Sequence, residues 1–260
     1  MRNGIVIGMI AAHMAMPLGS VAQSQAEKDP AAIAILSRAI SALGAPLGSL
    51  NTAQASGFYV QYLAGGKTVK YEVKMIAAAP DWIRWETKGS DDTVIIVITG
   101  NSGWIQRRGQ RRPLSLSDMA GRGLEKFPVL ALAVWKDAPN VSTRYVGSAV
   151  SAGVEYQQVR VSKVFSSVSD KTARLLEQDT QADWFFDPRS GLPAWVRYYE
   201  SPAKYGERLA VDLTFSDFRE LGGIFTPMTM TMNIGKRIAG VVCFDSVKAN
   251  VPLSPDDFKE

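Results

Sequence analysis

The residue types that most often perform enzyme chemistry are scarce in this chain of 260 residues. It has one histidine, His13, inside an apolar N-terminal stretch, and one cysteine, Cys243. Histidine is the usual general base near neutral pH and a common metal ligand. Once that stretch is removed, the chain lacks the histidine that a Ser-His-Asp triad or a Cys-His pair requires. Cys243 lies in an apolar run and is expected to be an inert, buried thiol.

Adjacent carboxylates are the remaining candidates for acid–base chemistry. Asp91 is followed by Asp92, and Asp256 by Asp257. Neighbouring side chains on a strand point to opposite faces, so such pairs do not converge on one substrate. No motif supplies an activated nucleophile. The sequence therefore predicts a protein that is not an enzyme, with no catalytic residues, no metal site and no cofactor.

The N-terminus is typical of a secretory signal peptide. Arg2 is followed by an apolar stretch over residues 4–16, and small residues at Ser20 and Ala22 mark a cleavage site. We expect residues 1–22 to be the signal peptide and residues 23–260 to form a single domain. The alternative is an anchor helix that stays attached, which the short stretch disfavours because a span needs about 20 apolar residues.

The formal net charge is only +4, and its main cluster is a group of four arginines, Arg107, Arg108, Arg111 and Arg112. Such a cluster suits an anionic lipid surface or nucleic acid, or is a solvated hairpin turn around Gly109. We favour the hairpin turn and expect no nucleic-acid partner, because a secreted chain rarely meets nucleic acid.

The elements that must position any site are mostly strands. Asp29 and Pro30 are typical of a helix start, and apolar residues then recur at spacings of three and four until Gly44. After residue 50 the apolar period changes to two, with turn signals between the runs. The pattern predicts about eleven antiparallel strands and two or three helices, with residues 166–170 as a loop.

Two apolar segments stand out from this pattern. Residues 117–135 predict a very apolar helix interrupted by Pro128, which is either a plain core helix or a lid over a cavity. Alternation on a late strand places Met228, Met230 and Met232 on one face. These methionines either fill the core or form a surface that adapts to a flexible ligand.

Three groups of residues resemble the LolA/LolB-like superfamily of periplasmic lipoprotein carriers and outer-membrane acceptors. The first runs from Val73-Lys74 to Ala79-Pro80-Asp81-Trp82-Ile83-Arg84-Trp85, and the second from Val94 to Gly100-Asn101-Ser102-Gly103-Trp104. The third comprises Trp184-Phe185-Phe186-Asp187-Pro188 with Gly191-Leu192-Pro193, Phe215-Ser216-Asp217-Phe218 and Gly222-Gly223-Ile224-Phe225-Thr226-Pro227. Ala79 stands where the carriers have an arginine that ties the lid shut.

The resemblance implies a mainly β (α+β) fold: an incomplete antiparallel β-barrel of about eleven strands, with an N-terminal helix and a lid-like helix covering an apolar cavity. It also implies a periplasmic binding or carrier protein for a lipid or for the acyl chains of lipoproteins, with outer-membrane or inner-membrane protein partners. The alternative is a non-enzymatic envelope interaction or sensor module with a filled interior. The residues expected to line the cavity and lid are Leu124, Phe127, Leu130, Trp135, Trp85, Met228, Met230 and Met232.

Overall fold

A computed structural model describes residues 26–44, 50–119, 123–166, 168–200 and 208–259, so the expected signal peptide lies outside the described residues. The helices are α1 Pro30–Ala42, α2 Leu116–Met119, α3 Pro128–Asp137 and α4 Asp170–Thr180. Short 3₁₀ helices span Ala64–Gly66, Leu124–Lys126 and Pro255–Phe258. The strands are β1 Thr52–Tyr62, β2 Thr68–Ala78, β3 Trp82–Lys88, β4 Thr93–Thr99, β5 Ser102–Arg107, β6 Gln110–Pro113, β7 Val141–Ser151, β8 Val154–Lys163, β9 Ala182–Phe186, β10 Pro193–Glu200, β11 Leu209–Leu221, β12 Ile224–Ile234 and β13 Arg237–Ala249.

The described strands form one antiparallel sheet of thirteen, in the order β6-β5-β4-β3-β2-β1-β13-β12-β11-β10-β9-β8-β7. The first and last strands, β6 and β7, do not pair with each other, so the barrel is incomplete, as predicted. The count exceeds the predicted eleven. One strand that the prediction left out is β6, which forms the second arm of the hairpin around Gly109. Its sequence is polar and lacks the apolar alternation by which strands are recognised.

Helix α1 begins where the sequence predicts. One Asp29 carboxylate oxygen accepts a hydrogen bond from the Ala31 amide at 2.9 Å, and the other accepts one from the Tyr145 amide at 2.8 Å. The Tyr145 amide and then the Ala31 amide hold the pKa of Asp29 below its usual value. Because Tyr145 belongs to β7, this one carboxylate caps the helix and also ties it to the sheet.

Helix α3 covers the concave face of the sheet as a packed element of the core. Pro128 begins the helix and does not interrupt it, contrary to the sequence prediction, because a first-turn residue needs no amide partner within the helix. Leu130 is fully buried. At the other end the Lys28 ammonium donates to the carbonyls of Trp135 and Lys136 at 3.1 and 2.9 Å, which suits a helix C-terminus.

The sequence pattern does not predict helix α4 and indicates only a loop at residues 166–170. The helix begins after the Ser169 cap, and none of its described residues is buried. Without a buried apolar stripe it shows no periodicity that a search for core-facing helices would find.

The centre of the core is aromatic. Trp184 is fully buried and stacks on Phe215 and Phe186, with ring centroids 5.8 and 6.3 Å away. Trp135 of α3 meets the same indole edge-on at 6.0 Å. This cluster fixes α3 against β9 and β11.

An alternating row of charges crosses β8 to β11 on the face opposite Trp184. Arg160 donates to both Asp183 oxygens at 2.7 and 3.0 Å, and Arg197 donates to both Asp212 oxygens at 2.7 and 2.9 Å. Arg197 lies directly opposite Asp183 in the register of β9 and β10. The row therefore joins four strands by bidentate contacts and register.

We expect Asp183→Ala to lower the free energy of unfolding by about 2 kcal/mol. The Asp183 side chain is 4% exposed, and its removal leaves the Arg160 guanidinium without its bidentate partner. The arginines are partly exposed, so water compensates for some of the loss. Urea unfolding measures the change. Asp137→Ala is the control, because the Asp137 side chain pairs with Lys136 and is 72% exposed; it should lower the free energy of unfolding much less, and an equal loss would contradict the prediction.

Candidate functional site

The concave face holds an open cleft of about 460 Å³. One wall comes from β1 to β5 and the other from β10 to β13. Its volume falls within the range of small-molecule sites, about 300–1,000 Å³. Within the described part of the structure, neither α1 nor α3 contributes a residue to the lining of the cleft.

Strand alternation supplies the lining. Every second residue of a strand points to the same face. On β4 these are Val94 and Ile96, and on β12 they are Met230, Met232 and Ile234. The floor and walls of the cleft are therefore largely apolar.

An aromatic wall stands on the β1–β3 side. The ring of Tyr59 stacks against that of Tyr71 at 6.0 Å and meets that of Trp85 edge-on at 6.5 Å. Tyr59 can lie against β13 because residue 240 is glycine: a Cβ there would stand 2.3 Å from the Tyr59 ring. A larger residue at this position would push Tyr59 away from β13.

Charged side chains border the cleft. The Arg107 guanidinium donates to Asp92 at 2.6 Å, and this contact holds the pKa of the Asp92 carboxyl below its usual range. The Lys126 ammonium lies 5.4 Å from the centre of the Trp85 ring. Glu200 also borders the cleft. The site thus combines an apolar interior with polar groups that could orient a headgroup.

The structure brings together three of the eight residues expected at the site: Trp85, Met230 and Met232 line the cleft. Phe127, Leu130 and Met228 are buried in the core and do not line it. Trp135 borders a separate, smaller cavity. The side chain of Leu124 lies outside the described part of the structure.

The sequence pattern does not distinguish the cleft residues on β1, β2, β4 and β10 from other apolar strand residues. Tyr59, Tyr71, Ile96 and Tyr198 all line the cleft. Alternation within each strand was the available signal, but it does not say which part of an apolar face α1 and α3 leave open.

The smaller cavity, of about 70 Å³, contains a buried carboxyl, Glu125. Burial raises the pKa of Glu125. Nearby, the Lys163 ammonium forms an ion pair with Asp81 and donates to the Asn101 side chain at 3.2 Å. These contacts connect β8 to the turns that follow β2 and β4.

We expect Glu125→Gln to stabilise the fold at neutral pH by about 1 kcal/mol and to have little effect at pH 4. A carboxyl whose folded-state pKa is raised favours folding when protonated. Wild-type stability therefore falls as pH rises from the unfolded pKa through the folded one. Urea unfolding from pH 4 to pH 8 should show that the free energy of unfolding of the variant increases relative to that of the wild type as pH rises. A constant difference across this range would show that Glu125 does not titrate in this way.

Within the ranges that the structure describes, no group of three or more His, Cys, Asp or Glu side chains is placed to hold a metal ion. No helix there is both long and apolar enough to cross a membrane.

Solved structures share this architecture. The chain matches a LolA superfamily protein from Nitrosomonas europaea with a TM-score of 0.58 at 13% identity, over 88% of this chain and 97% of that one. A domain described as an outer membrane lipoprotein-sorting protein, from Vibrio parahaemolyticus, gives 0.56 at 12% identity, over 88% and 96%. A DUF1329 family protein from Desulfovibrio piger gives 0.56 at 14% identity, over 90% and 98%.

No protein-family model and no curated protein matches the sequence. The likeness therefore rests on three-dimensional structure, and it spans nearly all of each matched chain. The chain has the fold of the LolA superfamily.

Proposed function

We propose that this protein is a non-enzymatic carrier that binds an acyl chain of a lipid or of an acylated protein in the 460 Å³ cleft. The observation that carries the proposal is the cleft itself, an apolar surface left open on the concave face of an incomplete barrel. The solved structures support a shared fold, and the resemblance to lipoprotein carriers supports the ligand class. Residues 1–22, acting as a signal peptide that is then removed, would direct the carrier to the periplasm.

The cleft suits a ligand with a long apolar part and a polar end. Each buried methylene contributes about 0.8 kcal/mol. Inside the cleft, Ile96, Met230 and Met232 can contact the acyl chain, and the flexible methionines can adapt to its bends. Lys126 and the Arg107–Asp92 pair are placed to meet the polar end. We therefore expect weak selection for chain length and stronger selection for the headgroup.

Native mass spectrometry of the protein purified from the cell envelope, with extraction of bound lipid, tests this proposal. A co-purifying lipid or acylated peptide, displaced by an added fluorescent fatty acid, is the expected result. The same experiment reports the N-terminal residue and so tests the cleavage after Ala22. A ligand-free protein that ignores added fatty acid and lipopeptide would overturn the carrier proposal.

The alternative function is an interaction or sensor module whose interior is filled. Part of the interior is filled, since Trp184 and Phe186 of β9 and Leu36 of α1 are all fully buried. The open cleft beside them favours the carrier. Failure of every acyl ligand to bind would leave the interaction module as the better reading.

A further inference from the structure

Four turns surround the mouth of the cleft. They comprise residues 63–67, 89–92, 107–111 and 235–237, and we call them the basic rim. Each turn contains or closely follows a residue that lines the cleft: Gln61, Asp92, Arg107 and Ile234, respectively. The charged side chains on these turns therefore lie at the entrance of the cleft.

The basic rim concentrates positive charge. Its acidic residues are Asp91 and Asp92, and its six basic residues are Lys67, Arg107, Arg108, Arg111, Lys236 and Arg237. Its excess of four positive charges equals the formal net charge of the whole chain, +4. An anionic surface is therefore attracted to this end of the molecule more than to the rest of it.

These basic side chains extend into water. The side chains of Arg107 and Arg108 are 63% and 75% exposed although both lie near Asp92. The Arg111 guanidinium lies 3.9 Å above the Trp104 ring, which holds it on the hairpin. Guanidinium groups presented in this way can donate two hydrogen bonds to one phosphate.

Exposed apolar side chains lie beside these charges. Tyr62 precedes the turn with Lys67 and is 41% exposed, and Leu63 begins that turn and is 40% exposed. Ile238 follows Arg237 and is 48% exposed. Basic residues next to exposed apolar ones are typical of surfaces that bind at the interface of a bilayer.

Protection of the sheet edge explains only part of this charge. Arginines on β6 do discourage pairing with another chain, since β6 is an edge strand. The turns with Lys67 and with Lys236 join β1 to β2 and β12 to β13, which are interior strands with no edge to protect. A shared anionic partner accounts for the basic residues on the turns 63–67, 107–111 and 235–237, whereas the turn 89–92 carries only Asp91 and Asp92.

We propose that the basic rim docks on the surface of a bilayer that contains anionic phospholipids. Docking in this orientation turns the mouth of the cleft toward the membrane. This step is independent of what the cleft binds. If the proposed carrier function holds, it would let an acyl chain pass between bilayer and cleft without crossing bulk water.

Sedimentation with lipid vesicles tests the docking. We compare the wild type with the triple variant Arg108→Gln, Arg111→Gln, Lys236→Gln, which leaves Arg107 of the cleft intact. The matched control removes three basic residues away from the cleft: Arg189→Gln, Arg219→Gln, Lys248→Gln. All three proteins share one N-terminus, so any contribution from residues 4–16 cancels.

The wild type should bind vesicles of mixed phosphatidylglycerol and phosphatidylcholine, bind pure phosphatidylcholine much less, and lose binding at high salt. The rim variant should bind the mixed vesicles at least tenfold less tightly, while the control keeps wild-type binding. Equal loss in both variants, or no preference of the wild type for anionic vesicles, would overturn the proposal. Fatty-acid binding, measured without vesicles, should be unchanged in the rim variant, which separates failure of docking from failure of the carrier function.

Discussion

Met232→Asp is expected to weaken fatty-acid binding about 50-fold. Met232 lines the cleft on β12. A carboxylate there keeps water in the cleft and denies the ligand burial of about three methylenes, at roughly 0.8 kcal/mol each. Each 1.4 kcal/mol corresponds to tenfold in affinity, which gives about 50-fold. Displacement of a fluorescent fatty acid measures the change.

Two matched variants make this result specific. Met232→Leu keeps an apolar side chain of similar volume and should bind within a few-fold of wild type. Val150→Asp places the same carboxylate at a site that is 74% exposed, and it should leave binding unchanged. Far-UV circular dichroism checks that each variant is folded. Wild-type affinity in folded Met232→Asp would show that the acyl chain does not bind in this cleft.

Trp184→Ala is expected to lower the free energy of unfolding by about 4 kcal/mol. Trp184 is fully buried, and its ring contacts Phe186, Phe215 and Trp135. Alanine removes these contacts and leaves a cavity between the sheet and α3, which the rigid surroundings fill only in part. Urea unfolding monitored by circular dichroism measures the loss.

The control for this variant is Trp195→Ala, on the other face of the sheet. Trp195 stacks on Phe185 at 4.3 Å, but it is only partly buried. Trp195→Ala should therefore lower the free energy of unfolding by less than Trp184→Ala does. If the two variants lose equal stability, Trp184 is not the centre of the core.

The sequence predicts most of this fold because its signals are local. The cap at Asp29, the alternation on β11 and the turn at Gly65-Gly66 each depend on neighbouring residues only. Helix α4 and strand β6 were not predicted because neither buries a regular apolar face. Periodicity detects burial, so elements that remain at the surface give it little to detect.

The site is harder to predict because its residues come from nine strands that are distant in sequence. The register of β11 and β12 sets Met230 opposite Phe215, whereas alternation predicts only that Met228, Met230 and Met232 share a face. It does not predict that Phe215 lies among the rings around Trp184 while Met230 also borders the open cleft. That difference depends on where α1 and α3 lie, which is a property of tertiary packing.

The strand order also determines how much of the chain must be available before the sheet can form. Strand β1 lies in the middle of the sheet, and one of its neighbours is β13, with Ala53 opposite Ala249. The sheet therefore cannot close its central seam until nearly the whole chain is available. Non-local pairing of this kind makes folding slow, on the order of milliseconds to seconds. Until β13 arrives, the exposed edge of β1 would need protection from pairing with other chains, which is a task that chaperones perform.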